Sequence, residues 1–255
     1  MKYYPDNKIT HFVTRLQTPI SLTAEWEVAL TEISYPRSWY TVSQEGGNFL
    51  ISWREDESNA NHFLDVQISQ GYYNDIEDIV LEMNNALVKK LTDAGQAVVN
   101  LPKLKYSKVK RCVSAIFPNC VSRMGHLILS EQLAVILGFS KKFNLQRENG
   151  AAITGDMVCD IRGGIHSIYV YCDLLECVPV GDTLAPLLRI VNVDGRIGKT
   201  AHKLYNHPHY LPVQKREFDS VEIDIRDDTG APVPFENGKL VVTLHFKRVS
   251  NPYLI

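Results

Sequence analysis

No Cys-x-x-Cys pair occurs among the five cysteines, Cys112, Cys120, Cys159, Cys172 and Cys177. The odd count and the missing pair spacing exclude a legible disulfide framework or a zinc site of ordinary pattern. The expectation is five free thiols, no metal and no cofactor, with a melting temperature indifferent to chelators and reductants. An excess of one charge sign is missing too. A net charge of −2 gives no general pull toward nucleic acid or anionic membrane, so no specific nucleic-acid binding is expected. No run approaches the ~20 continuous apolar residues that a spanning helix requires, so no membrane span is expected. Met1-Lys2-Tyr3-Tyr4-Pro5-Asp6-Asn7-Lys8 opens without an apolar stretch and reads as no secretory signal. These features together predict a soluble chain made in the cytosol.

Motifs for catalysis are equally scarce. Arg162-Gly163-Gly164 is followed by neither Gly-Lys-Ser/Thr nor a capped helix, which removes the phosphate-loop reading. No serine sits in a Gly-x-Ser-x-Gly setting, so a nucleophile elbow is unsupported. His207-Pro208-His209 spaces two imidazoles as some metal-binding jelly rolls do, with Glu217 and His245 as further candidates. Glu217 stands eight residues beyond His209, however, and a stiff surface loop explains the motif more simply. Asp224, Asp227 and Asp228 lack calcium-loop spacing and read as a strand face and a turn. Lys103, Lys105, Lys108, Lys110 and Arg111, with Tyr106 among them, read as a solvated loop, or else as a surface for nucleic acid or an acidic partner. The chain does not read as an enzyme.

What the sequence has in quantity is alternation. In Val221-Glu222-Ile223-Asp224-Ile225-Arg226 apolar and charged residues alternate, and Leu240, Val242, Leu244 and Phe246 form a second stripe. Period two puts one set of side chains on each face of a sheet. Asp227 to Pro234 between them supplies a glycine for a left-handed turn and prolines that a central strand excludes. Further runs begin at Phe12 (closed by Pro19), Trp26 (ended by Pro36), Phe49, His62, Val109, His126, Ile165 and Leu187. Roughly ten strands with turn signals between them predict a mainly all-β sandwich or barrel. At 255 residues, 45% of them apolar, the chain is long enough to bury roughly 70–75% of its unfolded surface.

Two helices interrupt the strands. Asn74 can cap the first, with Glu77 reaching back, and Ile76, Ile79, Val80, Met83 and Leu87 form its apolar face. Ser130 caps the second, Leu133, Ile136 and Leu137 point one way, and Gly138 ends it. Both faces read as packing against a sheet.

Several segments, in order, carry a family resemblance. They are Tyr4-Pro5-Asp6-Asn7, Trp26-Glu27-Val28-Ala29-Leu30, Tyr35-Pro36-Arg37-Ser38-Trp39-Tyr40 and Tyr169-Val170-Tyr171-Cys172-Asp173. Val180-Gly181-Asp182 and Pro186-Leu187-Leu188-Arg189 follow. Last come Phe218 to Gly230, Pro232-Val233-Pro234-Phe235 and Val241-Val242-Thr243-Leu244-His245-Phe246. This series resembles the minor capsid, or penton, proteins of Polinton (Maverick) elements and related adintoviruses, along nearly the whole chain.

The resemblance implies a single jelly-roll β-sandwich with a small two-helix elaboration. Residues 1–255 would form one capsid domain, with the helices entering at about 70–140. It also implies a structural role: a homo-oligomer, a pentamer, at the fivefold vertices of an icosahedral shell. Its neighbours would be double jelly-roll major capsid proteins, and its place the virion, after synthesis in the host cytosol and assembly there or in the nucleus. A closed ring needs two different complementary surfaces per subunit. The aromatic segments Tyr35–Tyr40 and Tyr205–Pro212 suit such surfaces, and suit core packing equally well. The resemblance assigns no catalytic, cofactor or metal residue, and leaves the contact residues open. Two alternatives stand beside it: a host-domesticated intracellular binding module, and a carbohydrate-binding or cupin-like metal-dependent jelly roll. Strands from 9–54 and 157–248 are expected to share the sandwich.

Overall fold

The computed structural model describes residues 5–55, 61–95, 101–117, 121–140, 145–146 and 152–249. Tyr4 of the resemblance and Cys120 lie outside these residues. In chain order the elements are β1 (His11–Ser21), β2 (Trp26–Pro36), β3 (Asn48–Glu55), β4 (Asn61–Gln67) and helix α1 (Ile76–Asp93). Then come β5 (Lys103–Ser107), β6 (Cys112–Ile116), β7 (Val121–Leu129), helix α2 (Glu131–Leu137), β8 (Leu145–Gln146) and β9 (Ile153–Thr154). The remainder is β10 (Ser167–Cys172), β11 (Val178–Val180), β12 (Thr183–Ala185), β13 (Leu187–Asn192), β14 (Thr200–Leu204), β15 (Leu211–Pro212), β16 (Glu217–Arg226) and β17 (Val241–Arg248). Among the described residues the fold is all-β and antiparallel, with two helices. It divides into two compact units, Met1–Trp39 with Ile165–Ile255, and Tyr40–Gly164.

The first unit is a jelly roll. One sheet has the order β1-β16-β10-β13. In the other, β2 pairs β17 along one side and β14 and β15 along the other. The first two long strands therefore lie beside the last two, β1 on β16 and β2 on β17, one pair in each sheet. That return of late strands onto early ones is the jelly-roll path. Val28, Leu30, Ile33 and Tyr35 of β2 meet Ile168, Val170, Leu188, Val191, Ile223 and Ile225 of the facing sheet in one core. Phe218 stacks on Phe246 across it, ring centroids 6.1 Å apart.

β2 shows how sequence phase becomes geometry. Its residues in the sandwich core fall at even positions, Val28 and Leu30, before Thr31 and at odd positions, Ile33 and Tyr35, after it. Opposite, Thr243 pairs Glu32 while Leu244 pairs Leu30, which leaves Thr31 as the extra residue of a β-bulge. The Thr31 hydroxyl donates to the Thr243 carbonyl (3.1 Å), and the Thr31 carbonyl accepts from Tyr205 N (2.9 Å). The bulge keeps both apolar runs facing the core.

Several expectations are corrected. Pro19 does not close the first strand, because β1 runs on to Ser21 as a sheet edge. Its register shifts between Arg15 and Ile20, and proline is tolerated at such a place. Phe49 to Trp53 forms a strand as expected, but β3 pairs β4 and β7 in the second unit instead of joining the sandwich. Asp75, not Asn74, caps α1, accepting from Asp78 N at 2.9 Å. The lysine-rich stretch is a loop only in part: Lys103 and Lys105 lie on β5, and Lys108, Lys110 and Arg111 form the turn of the β5–β6 hairpin, whose buried Leu104, Val113 and Ala115 pin it to the core.

The second unit, inserted between β2 and β10, holds the sheets β4-β3-β7-β8 and β5-β6-β9 with both helices. The predicted apolar face of α1 is buried throughout, extended by Leu91. Ser130 caps α2, accepting from Leu133 N at 3.1 Å. Gly138 closes α2 at φ +81, where a Cβ would stand 2.3 Å from the Met157 carbonyl oxygen, so only glycine fits.

Candidate functional site

Several of the segments that carry the resemblance form packed joints in the first unit. At the end of β2, Trp39 meets Phe235 edge-on at 5.7 Å. The Ser38 hydroxyl donates to the Asn237 carbonyl (2.7 Å) and accepts from Asn237 N (3.2 Å). Gly238, at φ +101, lets the backbone pass Pro36 where a Cβ would meet the ring at 2.6 Å. Tyr35 is fully buried, and its hydroxyl accepts from Asp194 N at 3.0 Å, which ties β2 to the end of β13. That burial raises its phenol above the ordinary value. Of the aromatic residues with two readings, Tyr35 and Trp39 are therefore core. Tyr205 lies under the Arg189 guanidinium (3.6 Å to the ring centre), and Tyr210 donates to or accepts from His245 Nδ1 at 2.9 Å.

A second joint forms where β10 meets β16. Tyr169, Val170, Tyr171 and Cys172 pair Arg226, Ile225, Asp224 and Ile223. Asp173 then turns its carboxylate to Glu222 N (2.8 Å) and to Lys215 Nζ (2.5 Å). A cleft of about 390 Å³ opens beside it, lined by Tyr171, Asp173, Thr183, Pro186, Asp224 and Arg226. Its charges are engaged internally: Arg226 Nε bonds Asp224 (2.7 Å) and its Nη1 donates to the Gly230 carbonyl (2.9 Å). Asp227 organises the following turn, with Oδ1 accepting from Thr229 N, the Thr229 hydroxyl and Ala231 N. That is the turn role expected of an aspartate here.

The residues considered for a metal are not assembled. His245 is bound by Tyr210, His207 and His209 are exposed in the preceding turn, and Glu217 lies opposite Ser21 in the β1–β16 ladder. Among the described residues no three His, Cys, Asp or Glu side chains converge. Cys112 and Cys172 are buried, Cys159 half-buried and Cys177 exposed, all free thiols. Burial pushes Cys159 and Cys172 up to about 11, so both stay protonated and weakly nucleophilic at neutral pH. What the arrangement offers chemically is a braced scaffold with ion-paired, half-exposed surfaces. The sequence did not reveal the joints, since each pairs segments far apart in the chain.

The sequence matches no protein-family profile. No curated protein matches it either. Among solved structures, the fold is similar to the crystal structure of selenomethionine-labelled mavirus penton protein, with a TM-score of 0.54 at 12% identity. The similarity covers 95% of this chain and 92% of that one, so it spans both compact units. At that identity it establishes a shared fold. Among the described residues, no helix is long and apolar enough to cross a membrane.

Proposed function

We propose that this chain is a minor capsid protein, the penton of a Polinton-type element or adintovirus, forming pentamers at the fivefold vertices of an icosahedral capsid. The observation that carries this reading is the end-to-end likeness to the mavirus penton protein, which includes the unit inserted between β2 and β10. The segments of the family resemblance support it, since several of them build the joints at β2 and β16. In this reading the jelly roll forms the capsid domain and Tyr40–Gly164 its elaboration. Double jelly-roll major capsid proteins are the neighbours, and the virion is the place of action. The role is structural, with no chemistry asked of the cleft or of the thiols. The test is co-expression with a double jelly-roll major capsid protein from a related element. The chain should co-sediment with assembled shells and occupy their fivefold vertices in electron micrographs. Shells that close with these vertices empty while the chain stays in the supernatant would overturn the proposal.

A further inference from the structure

The second unit carries a cluster of positive charge, with Asp75 and Glu77 of the α1 N-terminus beside its Lys108–Arg111 end. From residue 94 to residue 130 the sequence contains no aspartate or glutamate, while five cations fall between Lys103 and Arg111. The β5–β6 pairing turns this stretch into a ribbon. Lys103 and Lys105 project from the exposed face of β5, opposite Ile116 and Ser114. Lys108, Val109, Lys110 and Arg111 form the loop at its tip. Arg111 takes a left-handed conformation (φ +52), and its N–H closes the loop on the Ser107 carbonyl at 2.6 Å. All five cations are exposed, and Val109 at the apex is 96% exposed. Glu77, in the first turn of α1, takes up Lys108 at 3.1 Å. Lys103, Lys105, Lys110 and Arg111 have no carboxylate partner within ion-pair distance among the described residues.

We propose that this hairpin binds nucleic acid through the phosphate backbone, without sequence preference. The geometry favours a linear polyanion. At ~3.3 Å per residue, β5 runs roughly 15 Å, about the length of four phosphate steps of one DNA strand. A bilayer surface fits less well, because the single Val109 is the only apolar side chain at the tip and anchoring needs a broader apolar face. With a net charge of −2 the chain as a whole exerts no pull on a polyanion, so binding has to come from a local cluster such as this hairpin. The inference stands independently of the capsid reading.

The test is fluorescence anisotropy of the full chain with a labelled random-sequence duplex, titrated at several salt concentrations. With four cations engaged, log K should fall against log[salt] with a slope of about −3.6. Neutralising three of them in Lys103→Gln/Lys105→Gln/Lys110→Gln should weaken binding at least tenfold at low salt and bring the slope to about −0.9. The control Lys89→Gln/Lys90→Gln, on α1 of the same unit, should leave both unchanged. Melting temperatures of both variants should match the parent, which separates lost binding from lost folding. The proposal is overturned if the duplex does not bind at low salt, or if the α1 control weakens binding as much as the hairpin variant does. Binding confined to heparin or to phosphatidylserine vesicles, with none to DNA, overturns it as well.

Discussion

At the scale of single residues, burial sets the reactivity of the thiols and the worth of the buried tyrosine. Cys177 is exposed, whereas Cys112 and Cys172 are buried and Cys159 is half-buried. Peptide-mapped alkylation at neutral pH should therefore label Cys177 well before those three; early labelling of Cys172 would place β10 wrongly. The raised thiols of Cys159 and Cys172 also fix a sign. A group that holds its proton more tightly when folded contributes its stability in full below its unfolded value, here about 9. It loses that stability as pH rises through the folded value of about 11. Melting temperature should fall between pH 9 and 11, and Cys172→Ala should flatten that slope. Tyr35→Phe removes the hydroxyl that receives Asp194 N, and thermal denaturation should show a loss of about 1 kcal/mol. None of this was readable from composition; the buried tyrosine was visible only as one of two readings of an aromatic segment.

At the scale of elements, the C-terminal strand is the sharpest case. Val242, Leu244 and Phe246 pack against the sandwich core from a half-buried edge, while His245 faces out to Tyr210. Leu244→Asp should cost about 2 kcal/mol or more, because a carboxylate would enter apolar surroundings without a partner. His245→Ala should cost about 0.5–1 kcal/mol, the worth of one exposed hydrogen bond. Equal effects in denaturant titrations would contradict the strand phase. The phase of this strand was legible because period-two alternation is a local property. The caps of α2 were legible for the same reason, Ser130 and Gly138 being local chemistry. The course of β1 past Pro19 was not, since an edge position depends on partners elsewhere in the chain. β5 was hidden because lysines dominate its exposed face and only Leu104 is buried on it, whereas its partner β6 lies within the run that begins at Val109. Short pairs such as β11–β12, three residues each, fall below what alternation can resolve.

At the scale of the whole molecule, the sequence reading reached the fold class and the architecture of the first unit, while the division into two compact units came from pairings no local pattern encodes. The second unit enters after β2 and leaves before β10, and within the first unit those points lie close together. The Tyr35 hydroxyl is 3.4 Å from the Asn192 carbonyl oxygen, and Asn192 pairs Ser167 at the start of β10. Replacing Tyr40–Gly164 by a short Gly/Ser linker should therefore leave a folded, cooperatively melting jelly roll. Loss of the β-sheet circular-dichroism signal in that variant would show that the two units do not fold separately. The pentamer is the central claim, and a closed ring requires two unlike complementary surfaces on each subunit. Its most direct test is the native mass of the purified full chain, with negative-stain images of the same peak. The account predicts a species of about 145 kDa, five times the 28.9 kDa chain, seen as fivefold rings. A monomer at every concentration, or a closed dimer, would contradict it.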